Sequence, residues 1–482
     1  MKKIARNIFL LLMIIFIAGC EDKFEELNTD PNKLKDINVS SLLSPILYNS
    51  VTSMLGRSHG FPHELMQYTC PIVSNSDGVH RYVFQTSQGN SLWSAYYSNL
   101  TNINDMVTIC EKRKDNNYLA VALIIRAWYT SIITDAFGDI PYSKASKAVE
   151  GTIQPEFDNQ QSIYISLLAD LENANSLIDV NKPLAFGGDI LYGANVKANV
   201  VKWKKFANSL RLRLLLRSSG KLADANQKMK DILADPQNYP VFTSTADDAI
   251  LRFTNITPFD NPFLSSRFRD FSEDWGFSTY FIAKMEEMKD PRFYFWATKS
   301  KVVGSVTGYD GIPGGYPESV TYPAGQRSSY VAGLQSSSLI GAMMTFAELE
   351  FIKAELALKG VITGDPKALY ESGVKASVAR WGLTTPAGYF DNTAAAYDGT
   401  LNSIIFQKYV NFFFTDYQSW FEKRRTGFPV LPVGPAVQNN QIMPSRLPYP
   451  PTVSFYNQTN YEKAIQKLRG TDDINKKVWW NE

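Results

Sequence analysis

Histidine and cysteine are nearly missing from this chain, with three of each among 482 residues. His59 and His63 stand four apart, a helical metal-ligand spacing. Gly60 and Pro62 between them break a helix there, and no Cys or carboxylate cluster completes a zinc-type site, so no metal is expected. Three cysteines are too few for a disulfide scaffold. Cys70 and Cys110 either pair outside the cytoplasm or remain thiols, which behave as small buried hydrophobes. The chain also lacks a G-x-S-x-G elbow, a P-loop, an H-E-x-x-H helix and paired C-x-x-C motifs. No catalytic residue and no cofactor are therefore expected. Carboxylates are plentiful, but a glycosidase pair meets in space and nothing in the sequence singles out two. Charge of one sign is absent too: 49 Lys and Arg face 47 Asp and Glu. That balance excludes a nucleic-acid binder, which needs many Lys/Arg–phosphate contacts. After Ile17 no apolar run reaches the roughly 20 residues that span a bilayer.

What is there begins at the N-terminus. Lys2, Lys3 and Arg6 precede the apolar run Ile8 to Ile17, the pattern of a removed secretory signal. Ile17-Ala18-Gly19-Cys20 resembles the bacterial lipobox, which implies a signal peptide over 1–19 and an acylated Cys20 as mature N-terminus. Each buried acyl methylene contributes ~0.8 kcal/mol of membrane affinity. Removing residues 1–19 leaves 46 basic against 47 acidic residues, a net charge of −1. Glu21, Asp22, Glu25 and Glu26 follow the cysteine and are expected to be solvated.

The remainder reads as mostly helical. Residues 118–137, YLAVALIIRAWYTSIITDAF, are apolar nearly all round, which belongs in a core. Asp158 with Gln161, and Thr345 with Glu348, have capping-box spacing. Ser278 caps a further helix, and Asp365-Pro366 combines an N-cap with proline at N1. In VVKWKKFANSLRLRLLLR, Trp203, Phe206, Leu210 and Leu214 make an apolar stripe, and Lys202, Lys205, Arg213 and Arg217 read as a solvated face. Residues 248–253 and 81–86 are the best strands. Residues 301–341 hold eight glycines, 427–457 seven prolines, and both read as loops. Structureless loops of that length in a compact domain are functional or disordered, and their aromatics argue against disorder. The expected fold is mainly α: a tetratricopeptide-like helical-repeat superhelix over a single domain, 20–482, with long loops forming a ligand face.

Several segments in order resemble the SusD/RagB family of nutrient-binding outer-membrane lipoproteins. They are FEELNTDPN after Cys20, ITDAFGDIPYSKA at 133–145, DPR at 290–292, YDGIPGG at 309–315, TFAELEFIKAELALKG, RLPYPP at 446–451 and the ending NYEKAIQKLRGTDDINKKVWWNE. The resemblance implies a surface-exposed lipoprotein that sits over a SusC-like TonB-dependent transporter and captures oligosaccharides without catalysis. It also implies that the loop before the helix near Trp93 contributes to the ligand face. The candidates there are Asp77, Arg81, Tyr82 and Trp93, with Asn99 or Asn102 as an amide on the helix. Trp275, Tyr309 and Tyr316 are candidates from the central segments, because sugar C–H faces pack on rings while hydroxyls need a few polar partners. Trp479 and Trp480 read as packing anchors. Two other functions stay open: an oligopeptide receptor of the same family, and a glycosidase with a dispersed carboxylate pair.

Overall fold

Capping chemistry sets where several helices begin. Ser278 accepts a hydrogen bond from the Phe281 amide, Thr345 from the Glu348 amide and Asp365 from the Lys367 amide. The helix expected from Asp158 starts one residue later, with Asn159 accepting from the Ser162 amide at 2.8 Å. Asp158 is occupied elsewhere: it takes the Tyr142 and Ser143 amides at 2.9 Å each and the Ser143 hydroxyl at 2.6 Å.

The computed structural model describes residues 38–74 and 78–482, and Val39–Glu482 form one compact unit. The first half carries α1 (Val39–Gly60), α2 (Pro62–Leu65), α3 (Asn90–Arg113), α4 (Asn116–Phe137), α5 (Gln160–Leu177), α6 (Lys197–Ser218) and α7 (Ala225–Ala234). The second carries α8 (Thr279–Glu287), α9 (Pro291–Trp296), α10 (Phe346–Leu358), α11 (Pro366–Ala379), α12 (Leu401–Asn411), α13 (Gln418–Thr426), α14 (Pro451–Tyr456) and α15 (Gln458–Lys467). Neighbours in sequence pack side by side, α3 on α4, α4 on α5, α5 on α6 and α10 on α11. This is the expected helical repeat of tetratricopeptide type. Short antiparallel pairs brace it: β1 (Thr69–Pro71) with β3 (Trp275–Phe277), and β2 (Ala249–Leu251) with β4 (Gly341–Met344). Helix α4 is long and apolar enough to cross a membrane, yet 94% of that stretch is buried inside the protein. Its alanines let neighbours approach closely, and Ala120, Ala127 and Ala136 are fully enclosed.

Three expectations are corrected. Residues 81–86 form no strand: Val79–Arg81 is a 3-10 turn closed by Tyr82 at φ 62. Residues 427–457 are not loop throughout, because Pro451 opens α14 at its first turn. The basic face of α6 is not solvated as a whole. Arg213 forks onto Glu348 at 2.7 and 2.5 Å. Arg217 meets Asp135 at 2.7 Å and Glu422 at 3.2 Å, and all these side chains are at most 5% exposed. Helix α6 is enclosed by α4, α5 and α10, and its arginines meet counter-ions there that α4, α10 and α13 supply.

Cys70 and Cys110 are buried free thiols. Among the described residues no group of three potential metal ligands occurs. His63 Nδ1 pairs with the Tyr330 hydroxyl at 2.8 Å and its Nε2 accepts from the Phe414 amide at 3.1 Å, so the Nδ1 carries the proton and donates.

Candidate functional site

The long segment after α9 does not hang free. The Phe277 amide donates to Ser328 O, and the Ser328 amide to Asp310 O, which fastens 309–328 along β3. The Tyr322 amide donates to Ile72 O and Val73 bridges Thr321. On the far side the Ala436 amide donates to Gly315 O and the Gln438 amide to Arg81 O. That junction needs glycine: a Cβ on Gly434 would lie 2.1 Å from Gly314 O.

Runs of side-chain contacts, joined through the backbone at Tyr309–Asp310 and at His80–Arg81, cross these loops. The Tyr294 and Tyr309 rings lie 5.8 Å apart, with Phe293 at 5.0 Å beneath Tyr309. Tyr294 is 45% exposed. Next to Tyr309, the Asp310 carboxylate is gripped by Arg327, whose guanidinium sits 4.9 Å over the Tyr322 ring. Tyr322 meets Tyr316 edge-on at 5.2 Å, and Tyr316 stacks on His80 at 4.7 Å. Arg81 follows His80 and reaches the half-exposed Glu318 at 2.5 Å. The outcome is a surface of partly exposed rings held by two arginine–carboxylate pairs.

Burial tunes its centre. The Gly315 amide donates to His80 Nδ1 at 3.0 Å, so Nε2 carries the proton and donates to Ser74 Oγ, also at 3.0 Å. Desolvation, then the charge of Arg81, lower the His80 pKa to about 4. The ring is thus neutral at ordinary pH and serves as a shelf for Tyr316. Burial raises the Tyr309 and Tyr322 hydroxyls, which stay protonated and can donate as well as accept.

The expected site residues divide into groups. Arg81, Tyr309 and Tyr316 belong to this run, although Arg81 and Tyr316 are buried beneath it at 3% and 2% exposure. Tyr82 caps the turn after Arg81 and is buried. Trp275 is adjacent in backbone but points elsewhere. The register sets it opposite Pro71, whereas Cys70 enters the small cluster with Ile72, Ile312 and Tyr316. Its half-buried indole meets His59 edge-on and donates to Asp270 O at 3.1 Å. Trp93 lies apart on α3, packed on Tyr97, Phe137 and Tyr449 and lining a small separate groove of about 240 Å³. Asn99 is buried and donates to Ala95 O of its own helix, while Asn102 is exposed on α3. Asp77 and Cys20 fall outside the described residues.

Tyr294, Asp310, Tyr322 and Arg327 were not singled out by sequence reasoning. A signal for Tyr294 exists: α9, PRFYFW, is six residues long, and so short an aromatic helix cannot bury every ring. Phe293 and Trp296 go inward, and Tyr294 and Phe295 remain exposed.

Comparison with known proteins gives a consistent result. Residues 31–450 match the SusD-like family model described as "Starch-binding associating with outer membrane". A chitin-binding SusD homologue from Flavobacterium johnsoniae superposes with a TM-score of 0.77 at 24% identity, covering 92% of this chain and 98% of that one. A SusD homologue from Bacteroides fragilis gives 0.77 at 25% identity, over 93% and 100% of the two chains. One from Bacteroides uniformis gives 0.79 at 23%, over 93% and 100%. A search of curated sequences finds no match.

Proposed function

This chain belongs to the SusD-like family, and from that membership we propose that it is a cell-surface lipoprotein, anchored in the outer membrane through Cys20, that captures oligosaccharides without cleaving them. On this reading it hands them to a SusC-like TonB-dependent transporter. The observation that carries the ligand class is the run from Tyr294 to Glu318. Partly exposed rings offer platforms for sugar C–H faces. The Arg327–Asp310 pair and the tyrosine hydroxyls beside them supply the few polar groups that orient a hydroxylated ligand. The same pairs argue against a glycosidase: the Asp310 and Glu318 carboxylates are each held by an arginine, whereas hydrolysis requires one carboxylic acid and one free carboxylate facing each other across the bond. The chitin-binding relative from Flavobacterium johnsoniae supports an amino-sugar polymer as one ligand to try.

The test is calorimetric titration of purified protein with malto-oligosaccharides, chito-oligosaccharides and a random oligopeptide mixture. Saturable binding of a glycan series, with the mass profile of the bound sugar unchanged after prolonged incubation, is expected. Binding of peptides alone would transfer the assignment to the oligopeptide-capturing branch of the family. Shortened products that copurify with the protein would make it an enzyme.

A further inference from the structure

Helix α8 has a second side. Glu286 faces the ring run, its carboxylate accepting from Thr307 at 3.1 Å. Around the helix, Tyr280 and Lys284 line a separate cleft of about 330 Å³, closed by the 393–398 loop and the start of α12. This lies at the lower end of small-ligand cavities, about 300–1,000 Å³, room for one substituted ring.

The lining has the two halves that a sugar ring needs. The first is open aromatic surface. Tyr280 is half-buried and has no ring partner among the described residues; Phe406, also half-buried, touches one ring, Tyr409 at 5.7 Å. The second is a matched set of polar groups. Asp398 accepts the Thr400 amide and hydroxyl on Oδ1, has Ser403 beside it as a further donor, and stands exposed at the cleft's rim. Among the described residues the Asn402 amide and the Tyr280 hydroxyl have no hydrogen-bond partner, and both line the cleft. Carboxylate and amide together accept from one hydroxyl and donate to its neighbour, the pattern that vicinal diols satisfy. Charge narrows the class. Lys284 is neutralised by Glu287 at 2.8 Å, so Asp398 leaves the cleft slightly negative and unsuited to an anionic ligand.

We propose that this cleft is a second carbohydrate subsite for a neutral sugar ring, with Tyr280 and Phe406 as its platform and Asp398 and Asn402 as its hydroxyl partners. The inference rests on the oligosaccharide reading above and adds a separate place on the other side of α8. Two subsites flanking α8 raise apparent affinity for a chain long enough to engage both, through effective concentration and without any new contact.

Saturation-transfer NMR with glucose, galactose, mannose, xylose and N-acetylglucosamine, on wild type, Tyr280→Ala, Asn402→Ala and Tyr309→Ala, tests it. Circular dichroism controls for folding, and Tyr280→Phe retains the ring if the alanine variant misfolds. At least one monosaccharide is expected to lose its signal in Tyr280→Ala and to weaken about 2- to 10-fold in Asn402→Ala, the worth of one contact of this kind. That signal should survive in Tyr309→Ala. If every bound sugar depends on Tyr309 and none on Tyr280 or Asn402, the second subsite is wrong and the primary reading stands. If wild type binds no sugar of the panel, the second subsite is wrong, while the oligosaccharide reading is decided separately by the calorimetric titration.

Discussion

Arg217 and Asp135 meet in the core, Nη1 to Oδ2 at 2.7 Å, with side chains 1% and 0% exposed. Arg217 also donates to Gln418 at 2.7 Å, and Asp135 accepts from the Tyr164 hydroxyl at 2.6 Å. Two buried opposite charges are stable together and costly apart, because desolvation of a lone ion is not offset. Asp135→Ala is therefore expected to destabilise by ~3–5 kcal/mol in denaturant unfolding. A loss within the range of ordinary surface changes would show that water reaches this pair.

The ring ledge should bind and not support the fold. Tyr294→Ala and Tyr309→Ala are each expected to lower glycan affinity by about 2- to 10-fold with little change in melting temperature. Trp93→Ala should do the opposite, since a tightly packed tryptophan cut to alanine costs ~3–5 kcal/mol. Unchanged stability with lost binding in the Trp93 variant would put the ligand on α3.

Two buried carboxylates give pH dependences of opposite sign. Burial raises Asp416 to about 6, and its Oδ2 has no hydrogen-bond partner in the described structure. The folded state then holds this proton more tightly than the unfolded one, so the stability it contributes is complete below about pH 4 and is lost as pH rises through 6. Asp416→Asn should flatten that fall and stabilise at neutral pH by on the order of 2–3 kcal/mol. Burial pushes Glu355 up, but Arg425, forked onto it at 2.7 and 2.6 Å, brings it down to about 2. Its contribution is present above about 4.5 and lost as pH falls toward 2; Glu355→Gln should remove it. Denaturant midpoints from pH 3 to 8 separate the two, and a slope unchanged in either variant contradicts its assignment.

Cys20→Ala should release the protein from the outer membrane in cells lacking any partner transporter, since acylation is the anchor proposed. Fractionation that finds the variant still membrane-bound would require another attachment.

Local chemistry was the legible part of the fold. Ser278, Thr345 and Asp365 cap where their spacing put them, because a cap is decided within four residues. The all-apolar stretch before Phe137 is a core helix for an equally local reason. The failures are non-local. Arg213 and Arg217 look like a solvated face until Glu348 and Asp135, more than 80 residues away, are placed against them. Asp158 forfeits its cap to a turn 15 residues upstream. The candidate surface was legible as a composition, aromatic and glycine-rich, but not as a geometry. Which tyrosine faces outward depends on pairings such as Tyr322 with Ile72 that join distant segments, and Tyr316 and Trp275 end on opposite sides of one small sheet.

Asp135 has one more partner, Trp480, whose indole Nε1 donates to Oδ1 at 2.7 Å across 345 residues. Arg424 lies against that same indole at 4.8 Å and donates to Asp135 O. The acid that Arg217 and Tyr164 already hold thus takes a further hydrogen bond from an indole made 345 residues later. A ribosome will have made most of the superhelix long before its keystone arrives. A chain cut short of Trp480 would carry every element of the proposed ligand surface and still leave Asp135 one hydrogen bond short in the core, a local loosening that proteolysis reads from outside.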